Sequence, residues 1–540
     1  MHGWRLRLDP QRGLLEVRLG EGCTVAGAHT GDGDSLTLSA TDQGSPVVLV
    51  AGDADSQAIL TAYRSSSTVE SQRGPAAVAI WDAGVLRLIR DCTGLYPLFH
   101  ARLGDDVLAL TDARAALDEG TVTRAYDPVA IAAWISGAPL EPEETLYASL
   151  RRVPAGHALV VDTGGSRLVR TWDPPEPGTL PAASASEFGA LLEGALARAL
   201  AGGRAAVFLS GGVDSAAVAS AAATASERLG LEPPLALCVD MEGAREGPTQ
   251  AAVADALGLV LCTAQARVEE GLLDRGLERV ASSLWPTAAM WAPVFDGLAA
   301  TAAAEGVRVL ADGQGGDDLV DAGLAAGSAL WPRPLALASW LLAERRYAGS
   351  FRTPLRHLVR TLRPGTRSTA NAPAWLADPF RTEIAARLAA RPRTYAAIRR
   401  ADLTGSMLAA QREETFDAGM RRGLTHCHPL WDSELVRLLD GLSPQALVAG
   451  GYPKSPARAY LRLRIPAVRG AWPRPALATD LLGGLLDRDG ARLWAQKGGG
   501  EQLARLGVIE RGIPLAGYPT GRQWPIMSME YWLEQGERQR

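Results

Sequence analysis

A short apolar run, Ala205 to Leu209, breaks into Ser210-Gly211-Gly212-Val213-Asp214-Ser215 and continues as small residues from Ser215 to Ala225. That order predicts strand, tight turn, helix. The same rhythm follows in Leu235 to Val239 (strand), Thr249 to Leu257 (helix), Leu259 to Thr263 (strand) and Val307 to Leu310 (strand). Strands alternating with helices build a parallel sheet whose ligands bind at the strand carboxyl ends. The residue types in the first turn point to an anion. Gly211 and Gly212 let backbone amides approach closely. Ser210 and Ser215 add hydroxyl donors, and the following helix presents its positive end. Asp214 cannot favour a phosphate directly, so it makes sense there as a Mg²⁺ ligand. A turn shaped by glycines alone would need neither the serines nor the acid. No Lys-Ser or Lys-Thr follows the glycines, so this is not a Walker A loop.

Two further turns belong with it. Leu310-Ala311-Asp312-Gly313-Gln314-Gly315-Gly316-Asp317-Asp318 follows another strand and offers Asp317 as a second carboxylate for Mg²⁺. Gly450-Gly451-Tyr452-Pro453-Lys454-Ser455 precedes a helical run. Of 55 basic residues only Lys454 and Lys497 are lysine. A lysine on a constrained turn in so arginine-rich a chain predicts a required ammonium, against the bland reading of a solvated side chain. Gly313 is expected to lie against a nucleotide, and Val239 and Met241 to line its base pocket.

Composition narrows the setting. The chain of 540 residues, 47% apolar and 21% charged, is long enough for two or more cores. A net charge of −5 gives no footprint for nucleic acid. Cys23, Cys92, Cys238, Cys262 and Cys427 are too sparse and irregular for a disulfide or zinc framework. Without a signal-like start or a run of about 20 apolar residues, a cytoplasmic protein with no membrane partner is expected. Residues 1–173 read as short alternating strands (46–50, 76–81, 107–110) with helices near 56–63 and 128–134. Residues 174–186, rich in Pro and Ser, read as a linker, and 187–540 as the second part, mostly helical beyond Leu335. Helical spacing of Phe188, Leu191, Leu192 and Leu196 opens that part. Glu413 and Glu414 could take a proton from an amine, but read better as a solvated helix face, and Arg421 and Arg422 as surface. His426 and His428 alternate around Cys427, which points them away from it and suggests local packing.

The three turns, with His428-Pro429-Leu430-Trp431-Asp432 and Leu461-Arg462, resemble the asparagine synthetase superfamily. Trp81-Asp82, the run Asp91 to Phe99, and Arg152 to His157 look like a class II glutamine amidotransferase domain. The resemblance implies an α/β chain in two parts. The first is an α+β, β-sandwich amidotransferase-like domain; the second is a parallel-sheet, ATP-pyrophosphatase-type ligase domain. It further implies ATP and Mg²⁺, with pyrophosphate held by Ser210, Gly211, Gly212, Asp214 and Ser215. Mg²⁺ would be held by Asp214 and Asp317, with Lys454 catalytic. The departures matter. The family's glutaminase uses an N-terminal cysteine after the initiator Met, where this chain has His2, and its Asn-Gly oxyanion element appears as Ala51-Gly52. With no glutaminase, the amine must arrive with the substrate, as in β-lactam synthetases and lasso peptide macrolactam synthetases. The β-lactam branch has a tyrosine where this chain has Gln314, which favours a lasso precursor core peptide as substrate. A leader peptidase and a leader-binding protein are the implied partners. A β-lactam synthetase-like ligase, ammonia-dependent asparagine synthesis and an inactive nucleotide-binding adaptor are the alternatives.

Overall fold

The structure, a computed structural model, describes residues 3–12, 14–27, 35–39, 46–66, 74–180, 182–241, 246–266, 271–286, 292–321, 323, 326–348, 351–352, 354–355, 358–359, 372–468 and 483–538. The first part holds β1 Trp4–Asp9, β2 Leu14–Leu19, β3 Cys23–Ala26, β4 Ser35–Ser39, β5 Val47–Gly52 and β6 Ala76–Asp82. It continues with β7 Val85–Arg90, β8 Phe99–Leu103, β9 Asp106–Leu110, β10 Arg151–Arg152, β11 His157–Asp162 and β12 Gly165–Arg170. They make two six-stranded antiparallel sheets, ordered β10-β8-β9-β1-β2-β4 and β12-β11-β7-β6-β5-β3. Alternation sets Trp4, Leu6, Leu8 and Val17 of one sheet against Leu49, Ala79, Trp81 and Leu88 of the other. In β5 and β6 the outward residues are apolar too. Val48, Val50, Val78 and Ile80 are covered by Ile59, Leu60 and Tyr63 of the helix Ser56–Ser66.

The second part is built on β13 Ala205–Phe208, β14 Leu235–Met241, β15 Leu261–Ala266, β16 Val309–Ala311 and β17 Thr425–Cys427. All pairings are parallel, in the order β15-β14-β13-β16-β17. The chain steps outward from β13 to β15, then returns to β13's other side as β16. The strand order therefore reverses between β13 and β16, where a doubly wound sheet opens a crevice at its carboxyl edge. The helix Val213–Leu229 buries Ala216, Ala217, Val218, Ala219, Ala221 and Ala222, small enough for close packing on the sheet. It starts inside the phosphate turn, two residues before the expected start, and ends at Gly230 with φ 68°. β15 begins two residues later than expected. Gly258 caps the helix Gly247–Leu257 in a left-handed conformation, and Val260, 68% exposed, serves as connection. Among the described residues no helix is long and apolar enough to cross a membrane. All five cysteines are free.

The two parts meet along the helix Ser406–Met420, where one expectation fails. Glu413 and Glu414 do not face solvent: both are buried, Glu413 completely. Glu413 accepts from Arg152 Nε and Nη2, both at 2.9 Å, from Arg90 Nη1 at 3.1 Å and from Trp285 Nε1 at 3.1 Å. Glu414 accepts from the backbone N–H of Leu284 at 2.7 Å and Trp285 at 3.1 Å, and pairs with Arg279 at 2.9 Å. Neither carboxylate is left to serve a substrate amine. The Arg90 guanidinium also donates to the carbonyls of Gly94, Tyr96 and Val153, while Asp91 accepts from the N–H groups of Thr93, Leu95 and Tyr96. The run from Asp91 to Phe99 and the Arg152 segment are thus the junction itself.

Burial raises the Glu413 pKa, and Arg152 and Arg90 outweigh it, so the net direction is down from 4.5. A depressed carboxyl stabilises the fold above its unfolded value and stops doing so as pH falls through its folded one. Glu413→Ala should cost about 3–5 kcal/mol in denaturant unfolding at neutral pH, because two buried guanidinium groups lose their partner. The gap from the parent should narrow in acid. Glu501→Ala, in a surface pair, should stay within about 1 kcal/mol. Equal costs for the two variants would rule out this role for the junction.

Candidate active site

The phosphate turn is pre-shaped by its own hydroxyls. Ser215 Oγ lies 2.9 Å from Ser210 Oγ, accepts from Ser210 N–H at 3.2 Å, and donates to the Gly212 carbonyl at 3.2 Å. Gly211 has φ 84°, and a Cβ there would press on Glu246 and Gln250. Gln250 Nε2 donates to the carbonyls of Ser210 at 3.2 Å and Val239 at 3.4 Å, tying the turn to the end of β14. Val239 is half-buried there; the side chain of Met241 lies outside the described residues. The helix Val213–Leu229 starts at Gly212 with no side chain capping it, so its first N–H groups face outward as anion donors.

The second glycine turn packs directly on the first. A Cβ on Gly313 would lie 2.9 Å from Ser215 N, and one on Gly316 would collide with the Asp214 carboxylate. A Cβ on Gly315 would lie 2.8 Å from Trp431 Nε1. Only glycines let the two turns close to this distance. Arg399 holds the acidic turn from behind. Its guanidinium donates to the carbonyls of Asp318 at 2.5 Å and Leu319 at 3.0 Å, and to Asp440 Oδ1 at 3.0 Å. Sequence reasoning missed Arg399, Asp440 and Gln250: Arg399 and Gln250 act through backbone carbonyls of other segments, and Asp440 acts through Arg399.

The third turn brings in the ammonium. Lys454 has φ 62° and ψ 38°; it and Ala83 are the non-glycine residues with positive φ among those described. That conformation costs of order 1–2 kcal/mol and persists where surrounding structure enforces it. Lys454 Nζ donates to Asp317 Oδ1 at 2.6 Å and to Asp214 Oδ2. Lys454 is buried, whereas the Asp317 side chain is 85% exposed. The expected trio of Asp214, Asp317 and Lys454 is therefore gathered at one place, with an open side.

The electrostatics follow from two carboxylates sharing one ammonium. Burial pushes Asp214 up to about 6, with Lys454 opposing and Asp317 adding. Burial works against the Lys454 charge, but Asp214 and Asp317 more than reverse it, and its pKa rises. Asp214 Oδ1 is buried with no hydrogen-bond partner. An orphaned carboxylate oxygen beside a second carboxylate is an all-oxygen donor set, and Mg²⁺ fits it.

At the ends of β16 and β17 stands a second cluster. His426 Nε2 lies 2.9 Å from Asp312 Oδ2, and His428 Nδ1 lies 2.8 Å from Asp312 Oδ1. The histidines do alternate away from Cys427, but they converge on Asp312 instead of merely packing. Burial would raise Asp312, and His428 and His426 pull it well below the usual carboxylate range. Arg421 pairs with Asp417 at 3.0 Å and Arg422 with Asp296 at 3.4 Å, at the periphery.

With this geometry in view, the comparisons take on chemical meaning. The asparagine synthase family matches residues 187–534, well over half of the chain and all three turns. The chain belongs to the asparagine synthase family. It is thus an ATP-dependent, amide-forming carbon–nitrogen ligase. A glutamine amidotransferase domain matches residues 48–172, within the antiparallel sandwich. No curated protein matches the chain.

The raised Asp214 carboxyl gives a test. Asp214 must lose its proton to bind a cation, so Mg²⁺-dependent ATP binding should weaken as pH falls through about 6. The half-saturating Mg²⁺ concentration, measured by calorimetry, should rise about tenfold per pH unit below that point. A slope equally present in Asp214→Asn would belong to the nucleotide and remove Asp214 from the set.

Proposed function

We propose that this member of the asparagine synthase family closes a macrolactam in a lasso precursor core peptide. It would adenylylate an Asp or Glu side chain of the peptide and pass it to the peptide's own N-terminal amine. The observation that carries the adenylylation step is the buried Lys454 ammonium held between Asp214 and Asp317, beside uncapped N–H groups of the phosphate turn. Asp214 and Asp317 would hold Mg²⁺, which when bound would supply neutralisation of phosphate charge. The protein's own groups do the rest. Ser210, Gly211, Gly212 and Ser215 hold the phosphates, and Gly313 lies against the nucleotide. Lys454 stabilises charge as the substrate carboxylate oxygen bonds to the α-phosphorus and the bond to pyrophosphate breaks. The amine then bonds to the acyl carbon, AMP leaves with the carboxylate's oxygen, and the ammonium proton goes to solvent. Holding both ends of one peptide together supplies much of the remaining rate.

Two observations support a peptide over a free amino acid with ammonia. The first is the amidotransferase-like part, whose Ala51-Gly52 replaces the expected Asn-Gly donor. Cys23 faces Ala51 across β3 and β5, and burial raises its thiol. A half-buried thiol with a raised pKa is a poor nucleophile. The second is the apolar surface near the Lys454 turn. Arg346 donates to the Gly451 carbonyl at 3.2 Å and stacks on Tyr452, which is 43% exposed. The helix carrying Arg346, Pro334–Ala348, also exposes Leu335 and Leu342. A large, partly apolar substrate fits such an open edge better than aspartate does.

Incubation with a candidate core peptide, ATP and Mg²⁺ should yield a peptide lighter by one water, with one AMP and one pyrophosphate per ring. Oxygen-18 placed in the peptide carboxylate should appear in AMP. Lys454→Met should lose at least about 100-fold in rate. AMP formation with aspartate and ammonium alone would replace the peptide reading by asparagine synthesis. Absence of AMP with every acid tested would leave a nucleotide-binding adaptor.

A further inference from the structure

We infer that Asp312, His426 and His428 form a binding site for a divalent transition-metal ion of the zinc class, distinct from the magnesium-type pair Asp214 and Asp317. The site is built by register. In the parallel pairing of β16 with β17, Leu310 stands opposite His426 and Ala311 opposite Cys427, and Asp312 N–H donates to the Cys427 carbonyl at 3.2 Å. Asp312 therefore sits level with the β17 residues just past its own strand. His426 and His428, two apart on one extended segment, project to the same side and flank its carboxylate. Their rings stack at 4.8 Å between centroids, 28° apart in plane.

One ligand atom from each of Asp312, His426 and His428 lies within 4.8 Å of the other two, and the two rings bond to different oxygens of Asp312. Ligands of a tetrahedral zinc stand roughly 3.4 Å apart, given bonds of about 2.0–2.1 Å. The closest pairs here are 2.8 and 2.9 Å. Spreading each by about half an ångström would admit the ion in place of the ring protons. Two imidazole nitrogens and one carboxylate oxygen suit zinc, cobalt or nickel, while magnesium prefers an all-oxygen shell. Three protein ligands leave a fourth position for water or an incoming group.

Access is compatible with binding. The side chains of Asp312 and His426 are 19% and 12% exposed, so the cluster is reachable from solvent. Asp312 is steadied by the Gln314 N–H, which donates to its Oδ1 at 3.0 Å, a contact of the kind that orients a ligand. The bland alternative is a hydrogen-bonded trio that fills space. It does not account for three ionisable groups converging at the end of a strand, β16, that is otherwise apolar.

The test uses the full chain, stripped with a chelator and kept in excess Mg²⁺. Titration with Co²⁺ should give visible ligand-field absorption saturating at one equivalent, and Zn²⁺ should displace it. No thiolate charge-transfer band should accompany it, since Cys427 alternates away from the cluster. His426→Gln and His428→Asn should each weaken Zn²⁺ binding at least about 100-fold in competition with a chromophoric chelator. Asp214→Asn should bind Zn²⁺ like the parent, which separates this site from the ligase reading. The proposal is overturned if the parent takes up no Co²⁺ or Zn²⁺ in excess Mg²⁺, or if the double histidine variant binds as the parent does. Should that variant not fold, the parent's cobalt titration decides alone.

Discussion

Two carboxylates and one ammonium, the ammonium 137 and 240 residues from its two partners in the chain, meet where the sheet reverses its strand order. Asp214, buried there, could not readily keep its charge without the cation. Burial already lifts Asp214 to about 6 with Lys454 beside it. Nor could the ammonium be buried alone, because an unpaired charge removed from water loses its proton or leaves. Each turn thus depends on the other two. The glycines follow from the same requirement: Gly313 and Gly316 must lack side chains so that the acidic turn can seat Asp317 next to Asp214. The left-handed backbone at Lys454 is the remaining concession, accepted because it aims the side chain between the acids.

The amidotransferase-like part is connected to this arrangement by contiguous packing. Glu413 binds it through Arg90 and Arg152, and the neighbouring Arg412 lies 4.3 Å over the ring of Trp431. Trp431 in turn packs against Gly315, in the turn that carries Asp317. The helix Ser406–Met420 then runs on towards β17 and the two histidines. The junction and the ligase edge therefore share one helix. A sandwich with no glutamine chemistry of its own would still fix the position of the acidic turn.

How far the sequence reveals this depends on how local each signal is. The phosphate turn was legible because strand, glycines, serines and helix sit within about ten residues and each has a separate physical reason. Lys454 stood out through the scarcity of lysine. Glu413 was illegible: an Arg-Glu-Glu run on a helix looks solvated, and its partners Arg152 and Arg90 lie 261 and 323 residues away. The histidine pair was half legible. Alternation gave the side to which they point, but only the register of β16 against β17 supplies Asp312. The start of β15 was misplaced because apolar residues after Gly258 look like a strand, although Val260 is exposed.

The choice of lysine at position 454 carries a last physical point. The chain has 55 basic residues and uses lysine twice, so arginine is its default cation. At Lys497 the ammonium lies 4.6 Å over the Tyr531 ring, a contact an arginine makes at least as well. At 454 the demands differ. A planar guanidinium satisfies one carboxylate with a parallel fork, and two carboxylates on different turns do not present one plane. A compact ammonium with three rotatable donors can bond both and retain a third donor for an incoming oxygen. It can also shift between partners without moving its backbone, which the strained turn holds fixed. That combination, a fixed stem and a mobile charge, is what a group must have to release a carboxylate and meet a developing phosphate charge in one site.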